Sequence, residues 1–401
     1  MRFFRFLGAL SMIATSTASV AQNIAVTPQM LTDSLQNAVA AGTPGLSAAI
    51  ATRRGIIWQG VAGSADLKAG TPIGESNIFG IGSITKVFVA VTVLQLVEEH
   101  RLRLDDTPQS VLGADAVSGI ANADTATVAH LLAHSAGVPS WEDNADWIRK
   151  GRGAKLNPTH RWGKTEALDY VRGQPAIAAP GATYSYSNSG YTLLGLMIEK
   201  VTGNGAVSEI RRRILTPLGL RDTYFEGFEA GHPSRVPHRY HYATQRFRER
   251  AGIAPGFISI TPELIDTGPT NLSVEWTAGG MISSPRDLVR FALALRDGKL
   301  LKPESQAFME EWKPAVTGLK VGHGLFEMNT VAGPTVGHTG GVLGFSAALW
   351  WSEQSDVVVA VMGNVGSTDS GKAPPNAASV GLGDDFVKLS TRFAAQQLKP
   401  R

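Results

Sequence analysis

Cysteine is absent from the 401 residues, which excludes disulfides, thiol catalysis and Cys-ligated zinc. Charge of one sign is also missing: 37 Lys and Arg face 34 Asp and Glu. Residues 1–21 read as a secretory signal, with Arg2 and Arg5 at its start, an apolar stretch over residues 6–14, and Ser19-Val20-Ala21 as a cleavage site before Gln22. Its removal takes away two arginines and no acid, leaving 35 bases against 34 acids, a net of +1. No electrostatic case then exists for nucleic acid or an anionic membrane as partner. Long hydrophobic runs are lacking too. The stretch at 6–14 is too short to cross ~30 Å of hydrocarbon, so no membrane span is expected in the mature chain, and a periplasmic or secreted location is expected. Repeats and low-complexity segments are absent. What remains is an ordinary globular composition, 43% hydrophobic and 18% charged, in a chain long enough for one large domain or two intimate ones. Without covalent staples, an exported chain depends on a large core.

Residues 28–41 have a helical pattern, and 46–53 with 55–60 predict two strands around a tight turn. Ser83 opens a segment, 87–97, that is apolar nearly all round and predicts a buried central helix. From about 102 to 269 helical patterns dominate (128–134, 165–172, 190–201, 207–214), with little strand signal. A further helix is well punctuated, with Ser284 as N-cap, Pro285 at its first position, Asp287 at its third and Gly298 beyond its end. Residues 321–328, 335–338, 346–352 and 356–362 predict consecutive strands, and 386–398 a closing helix. Strands at both ends of the chain predict an α/β (α+β) fold: a mainly antiparallel sheet flanked by helices, with a helical domain inserted. The expected division is a signal peptide (1–21), a discontinuous sheet domain (22–85 and 271–401) and a helical domain (86–270).

Ser83-Ile84-Thr85-Lys86 puts a hydroxyl and an amine on one face of a helix start. A serine hydroxyl needs a base, and lysine serves as one only if burial lowers its pKa. The apolar helix that follows predicts that burial, and a helix N-terminus both disfavours a cation and stabilises an oxyanion. Tyr186-Ser187-Asn188, after Pro180-Gly181, offers a phenol whose pKa a nearby ammonium would depress, and an amide able to bond lysine and substrate. Read blandly, it is a turn with an Asn cap. His338-Thr339-Gly340-Gly341 lies where a strand is expected, and glycines are costly there unless a backbone or ligand comes close.

Ser-x-x-Lys, Tyr-x-Asn and His-Thr-Gly, in that order, resemble the class C β-lactamase and D-Ala-D-Ala carboxypeptidase family, also called penicillin-binding-protein-like. Residues 130–137, His-Leu-Leu-Ala-His-Ser-Ala-Gly, are similar to the family's H-L-L-x-H-x-S-G stretch, with Ala136 in place of its serine. Residues 277–284 are similar to its A-G-G-x-x-S-S stretch, and the likeness covers about residues 79–362. The resemblance implies a sheet domain and an all-helical domain with the site between them, and a serine hydrolase that works through an acyl-enzyme without a cofactor or metal. Ser83 would be the nucleophile, with Lys86 and Tyr186 jointly moving its proton. Asn188, His338, Thr339, Gly340 and Gly341 would bind substrate, and the Ser83 and Gly341 N–H groups would form the oxyanion hole. The implied substrate is a peptide or other small molecule, cleaved at a peptide or amide bond near a D-residue. A carboxylic ester is the alternative, and β-lactam hydrolysis or a non-catalytic penicillin-binding sensor comes after it.

Some features depart from the family or mimic other chemistry. His338 stands where many relatives carry lysine, so anion binding would weaken as pH rises through the histidine range. Gly322-His323-Gly324-Leu325 is followed by Phe326-Glu327-Met328, with no arginine to hold a terminal carboxylate, which counts against carboxypeptidase activity. Arg239, Arg246, Arg248 and Arg250 are possible substitutes. His130 and His134 have the spacing of a zinc pair on a helix face, but no HExxH accompanies them. His232, His238 and His241 read as a solvated loop. Gly163-Lys164-Thr165 lacks the first glycine of a phosphate loop, Pro158 standing in its place, and no Gly-x-Ser-x-Gly elbow occurs.

Overall fold

The computed structural model describes residues 25–330, 333–372 and 380–398, so the signal-peptide segment lies outside the described residues. Nine strands form the main sheet: β1 Gly45–Thr52, β2 Gly55–Asp66, β3 Thr71–Pro72, β4 Lys313–Val316, β5 Leu319–Val321, β6 Phe326–Thr330, β7 Gly333–Val342, β8 Phe345–Ser352 and β9 Val357–Gly363. Their spatial order is β4-β5-β6-β7-β8-β9-β1-β2-β3, and every pairing is antiparallel. The first strand therefore lies beside the last, with Ile50 opposite Val359. The helices that matter below are α1 Pro28–Ala40, α2 Thr85–Glu98, α3 Val128–Leu132, α4 Asn188–Thr202, α5 Pro285–Arg296 and α6 Val380–Leu398.

Both faces of the central strands are covered, which is why they read as near-continuous apolar runs instead of alternating ones. Leu46, Ala48, Ile50, Val357, Val359 and Val361 pack with Leu31 and Leu35 of α1 and with Phe386 and Phe393 of α6. On the other face Ala49, Leu349, Ala360 and Met362 join Leu288 and Phe291 of α5 in the larger core. That core also takes in α2, whose Phe88 ring stacks on Phe291 at 3.7 Å between centroids. Ser284 caps α5 by accepting from the Asp287 N–H, a device typically worth ~1 kcal/mol.

Several local readings are corrected. The helix expected at 165–172 is a 3-10 segment, Glu166–Tyr170. The strand expected at 321–328 breaks between β5 and β6, where Gly322 N–H bonds Leu325 O and Gly324 adopts φ +95. The stretch with little strand signal contributes Tyr240–Tyr242, Ile258–Thr261 and Leu264–Asp266 to a second small sheet, which Val365–Gly366 joins in parallel. Pieces of three or four residues are too short to show a period of two. His241, read as solvated, is fully buried in this sheet and bonds Thr368 O at 2.9 Å.

Candidate active site

Ser83 is carried on a 3-10 turn, Gly82–Ile84, and α2 begins only at Thr85. The approach is fixed on one side by Phe79–Gly80, which pairs with Met281–Ser283. On the other side it rests on β7, and glycine is what allows this. A Cβ on Gly340 would stand 1.8 Å from Ile81 O and 3.0 Å from Ser83 N. One on Gly82, whose φ is +50, would stand 2.6 Å from Gly341 N. The backbones bearing the Ser83 and Gly341 N–H groups thus lie directly against each other.

Lys86, in the first turn of α2, is completely buried. Its Nζ lies 2.9 Å from Ser83 Oγ, 2.6 Å from Asn188 Oδ1 and 2.7 Å from Ala278 O. These neighbours are all neutral. Burial lowers its pKa to about 7, although Glu142 and Glu275 pull the other way. Tyr186 and Asn188 flank Ser187, which caps α4 by accepting from Gly190 N–H. The Tyr186 hydroxyl donates to Ser83 Oγ at 2.7 Å. Burial, and then Glu142, push this phenol well above its ordinary range, so the depressed phenol expected from the sequence is corrected to a protonated one.

His338 is buried on β7, its Nδ1 against Thr339 O and its ring beside Phe326. Burial and then Lys86 lower its pKa to about 3, so it is uncharged at neutral pH and the expected weakening of anion binding near pH 7 does not arise from it. Thr339 and Gly340 face Ala348 and Ala347 across β7 and β8. Ser83, Lys86, Tyr186 and Asn188 are thus in direct contact, Gly340 and Gly341 touch the Ser83 turn through backbone, and His338 is near Lys86.

Other residues of the site were not evident beforehand. Ala278 O is one, lying inside the Ala-Gly-Gly stretch. Arg152 is another, almost completely buried and paired with Glu142 at 3.2 Å, Glu275 at 3.3 Å and Asp369 at 3.1 Å. Glu275 Oε2 reaches to 3.2 Å of where a Cβ on Gly279 would be, so the first glycine of that stretch makes room for a carboxylate. The expected histidine pair does not share a helix face, because α3 ends at Leu132 and His134 lies beyond it at φ +53. Among the described residues no group of three or more His, Asp and Glu side chains is arranged to hold a metal ion. Arg239, considered as a carboxylate ligand, is buried and paired with Glu226, and Arg250 is paired with Asp369.

Comparison with known proteins gives the chain its relatives. The Beta-lactamase family profile matches residues 30–382. Penicillin-binding protein 4 of Amycolatopsis lactamdurans is 28% identical over 317 residues, 75% of this chain and 76% of that protein. Esterase EstB of Burkholderia gladioli is 27% identical over 285 residues, 65% of this chain and 67% of that one. The crystal structure of a D-stereospecific amidohydrolase from Streptomyces sp. superposes with a TM-score of 0.74 at 27% identity, covering 85% of this chain and 95% of that chain. With its antiparallel sheet, its helices and these relatives, the chain belongs to the Beta-lactamase family and is a serine hydrolase of the amide- and ester-cleaving kind.

Proposed function

We propose that Ser83 is the nucleophile of an exported hydrolase that cleaves the amide or peptide bond of a D-configured residue through an acyl-enzyme. The observation that carries this is the placement of Ser83 Oγ between Lys86 Nζ, at 2.9 Å, and the Tyr186 hydroxyl, at 2.7 Å. Proton counting assigns the roles. A neutral Lys86 has two N–H groups, which Asn188 Oδ1 and Ala278 O accept, and a lone pair left for the Ser83 proton. Tyr186, kept as a phenol, donates to Oγ and is the group placed to relay a proton to the departing amine. The oxyanion that forms when Oγ attacks the carbonyl is held by the N–H groups of Ser83 and Gly341, each typically worth ~3 kcal/mol. Water then cleaves the ester on Ser83.

Substrate choice follows from the wall beside Tyr186. Phe326 and Trp350 form an apolar cluster against which Tyr184, Tyr186 and Met328 pack. By its spacing after Gly322-His323-Gly324-Leu325, Met328 stands where relatives that bind a terminal carboxylate carry a cation, so an amide or a peptide with a blocked end suits this wall better than a D-alanyl-D-alanine terminus. The same apolar wall favours a carboxylic ester as the second substrate. This agrees with relatives described as an esterase and a D-stereospecific amidohydrolase. A penicillin-binding role without turnover fits less well with a site in which Lys86 and Tyr186 both contact Ser83 Oγ and Asn188 holds Lys86.

Intact-mass measurement of protein recovered from the producing cell, before and after a fluorophosphonate and a penicillin, tests the proposal. The expected result is a chain starting at Gln22, one fluorophosphonate adduct mapping to Ser83, and no adduct and no turnover in Ser83→Ala. Hydrolysis retained by Ser83→Ala overturns the assignment, and a chain starting at Met1 overturns the export reading. A lasting penicillin adduct would mark a peptidase-like pocket, and its absence an esterase- or amidase-like one.

A further inference from the structure

Resting on that reading of Ser83, Lys86 and Tyr186, we infer that His134 is a positioning residue that holds the Tyr186 phenol against Ser83. The residues on either side of Tyr186 are both tied to this one histidine. Ser185 N–H donates to His134 O at 2.7 Å, and Ser187 N–H donates to His134 Nδ1 at 3.1 Å. Between these two bonds the imidazole lies under the phenol, with ring centroids 4.1 Å apart and 26° between planes. Tyr184 and Tyr191 close around the same imidazole. The clamp thus fixes the backbone before Tyr186, the backbone after it, and the ring itself.

Two further observations set His134 apart from ordinary packing. It adopts φ +53, an uncommon conformation for a residue other than glycine, just beyond the end of α3. Its Nε2 is buried with no hydrogen-bond partner among the described residues. With Nδ1 accepting, Nε2 carries the proton of the neutral ring, and an unpaired buried donor is destabilising. Phenylalanine would fill the space without that defect. What histidine adds is the acceptor for Ser187 N–H together with a flat face for the phenol. Burial and the nearby Lys86 and His338 hold it well below the ordinary histidine range, which keeps Nδ1 free to accept.

The experiment compares His134→Asn, which keeps an acceptor near Nδ1 and loses the ring, His134→Phe, which keeps the ring and loses the acceptor, and His134→Leu, which loses both. Hydrolysis of p-nitrophenyl butyrate by the whole chain is expressed per site titrated with a fluorophosphonate, so poorly folded protein does not count. Displacing a reacting group by ~1 Å costs ~100-fold, so kcat is expected to fall ~10-fold in His134→Asn and His134→Phe and ~100-fold in His134→Leu, with KM within about twofold of the parent. An unchanged kcat per titrated site in His134→Leu overturns the inference. Ser83→Ala runs alongside: activity retained there removes the nucleophile reading itself, whereas an inert Ser83→Ala beside a fully active His134→Leu overturns only the positioning role.

Discussion

Two buried basic side chains lie near Ser83, and their surroundings are opposite. Lys86 is enclosed by a hydroxyl, an amide oxygen and a backbone carbonyl, all neutral, and its pKa falls to about 7. Arg152 is equally enclosed, but by three carboxylates, and its pKa is raised. Burial disfavours charge in both, so the partners determine the outcome: dipoles alone leave the amine able to lose a proton, whereas opposing charges lock the guanidinium in place. One site suits proton transfer and the other suits holding the segments around residues 142, 275 and 369 together.

The sharpest way to break this contrast is Lys86→Met. Loss of an acid–base group typically costs 100- to 10,000-fold, so kcat/KM for p-nitrophenyl butyrate should fall by at least ~1,000-fold while the denaturant midpoint stays the same or rises. A drop in stability with activity retained would reverse the roles assigned here. Arg152→Met should do the opposite. Three carboxylates left without their partner predict a loss of about 3–5 kcal/mol in urea unfolding, far more than any change in kcat per titrated site. The smallest effect concerns the pH profile. In the proposed mechanism Lys86 acts when neutral, so kcat/KM should rise with pH through an apparent pKa of about 7. Glu142 favours the ammonium, so Glu142→Gln should move that rising limb to lower pH, by less than one unit, with little change in the plateau. Movement to higher pH would show that some other group controls the limb.

Comparison of individual elements shows what was legible in advance. The cap at Ser284, the apolar run of β9 and the Ser-x-x-Lys spacing were legible because each acts within a few residues along the chain. The family motifs extended that reach to Tyr186, Asn188 and Gly340, which lie far from Ser83 in sequence. What escaped depends on distance through space. Nothing local marks Arg152 as the partner of Glu275 and Asp369, and nothing local says that His338 and Tyr186 sit dry enough to stay uncharged. His241 looked solvated because the three-residue strand holding it is too short to reveal which side faces inward. His134 was weighed as a metal ligand because its spacing from His130 was visible while the end of α3 between them was not.

The neighbourhood of β1 and β9 has a consequence for how the molecule is made. The opening strand waits for its partner until residues 357–363 have been synthesised, because Leu46, Ala48 and Ile50 meet Gly363, Val361 and Val359. A nascent chain can assemble the β1–β2 hairpin early, but its edge remains bare until the final strands arrive. Biosynthesis therefore passes through a stage in which a sticky apolar ribbon must be shielded, and a product stopped before residue 357 would carry that ribbon permanently.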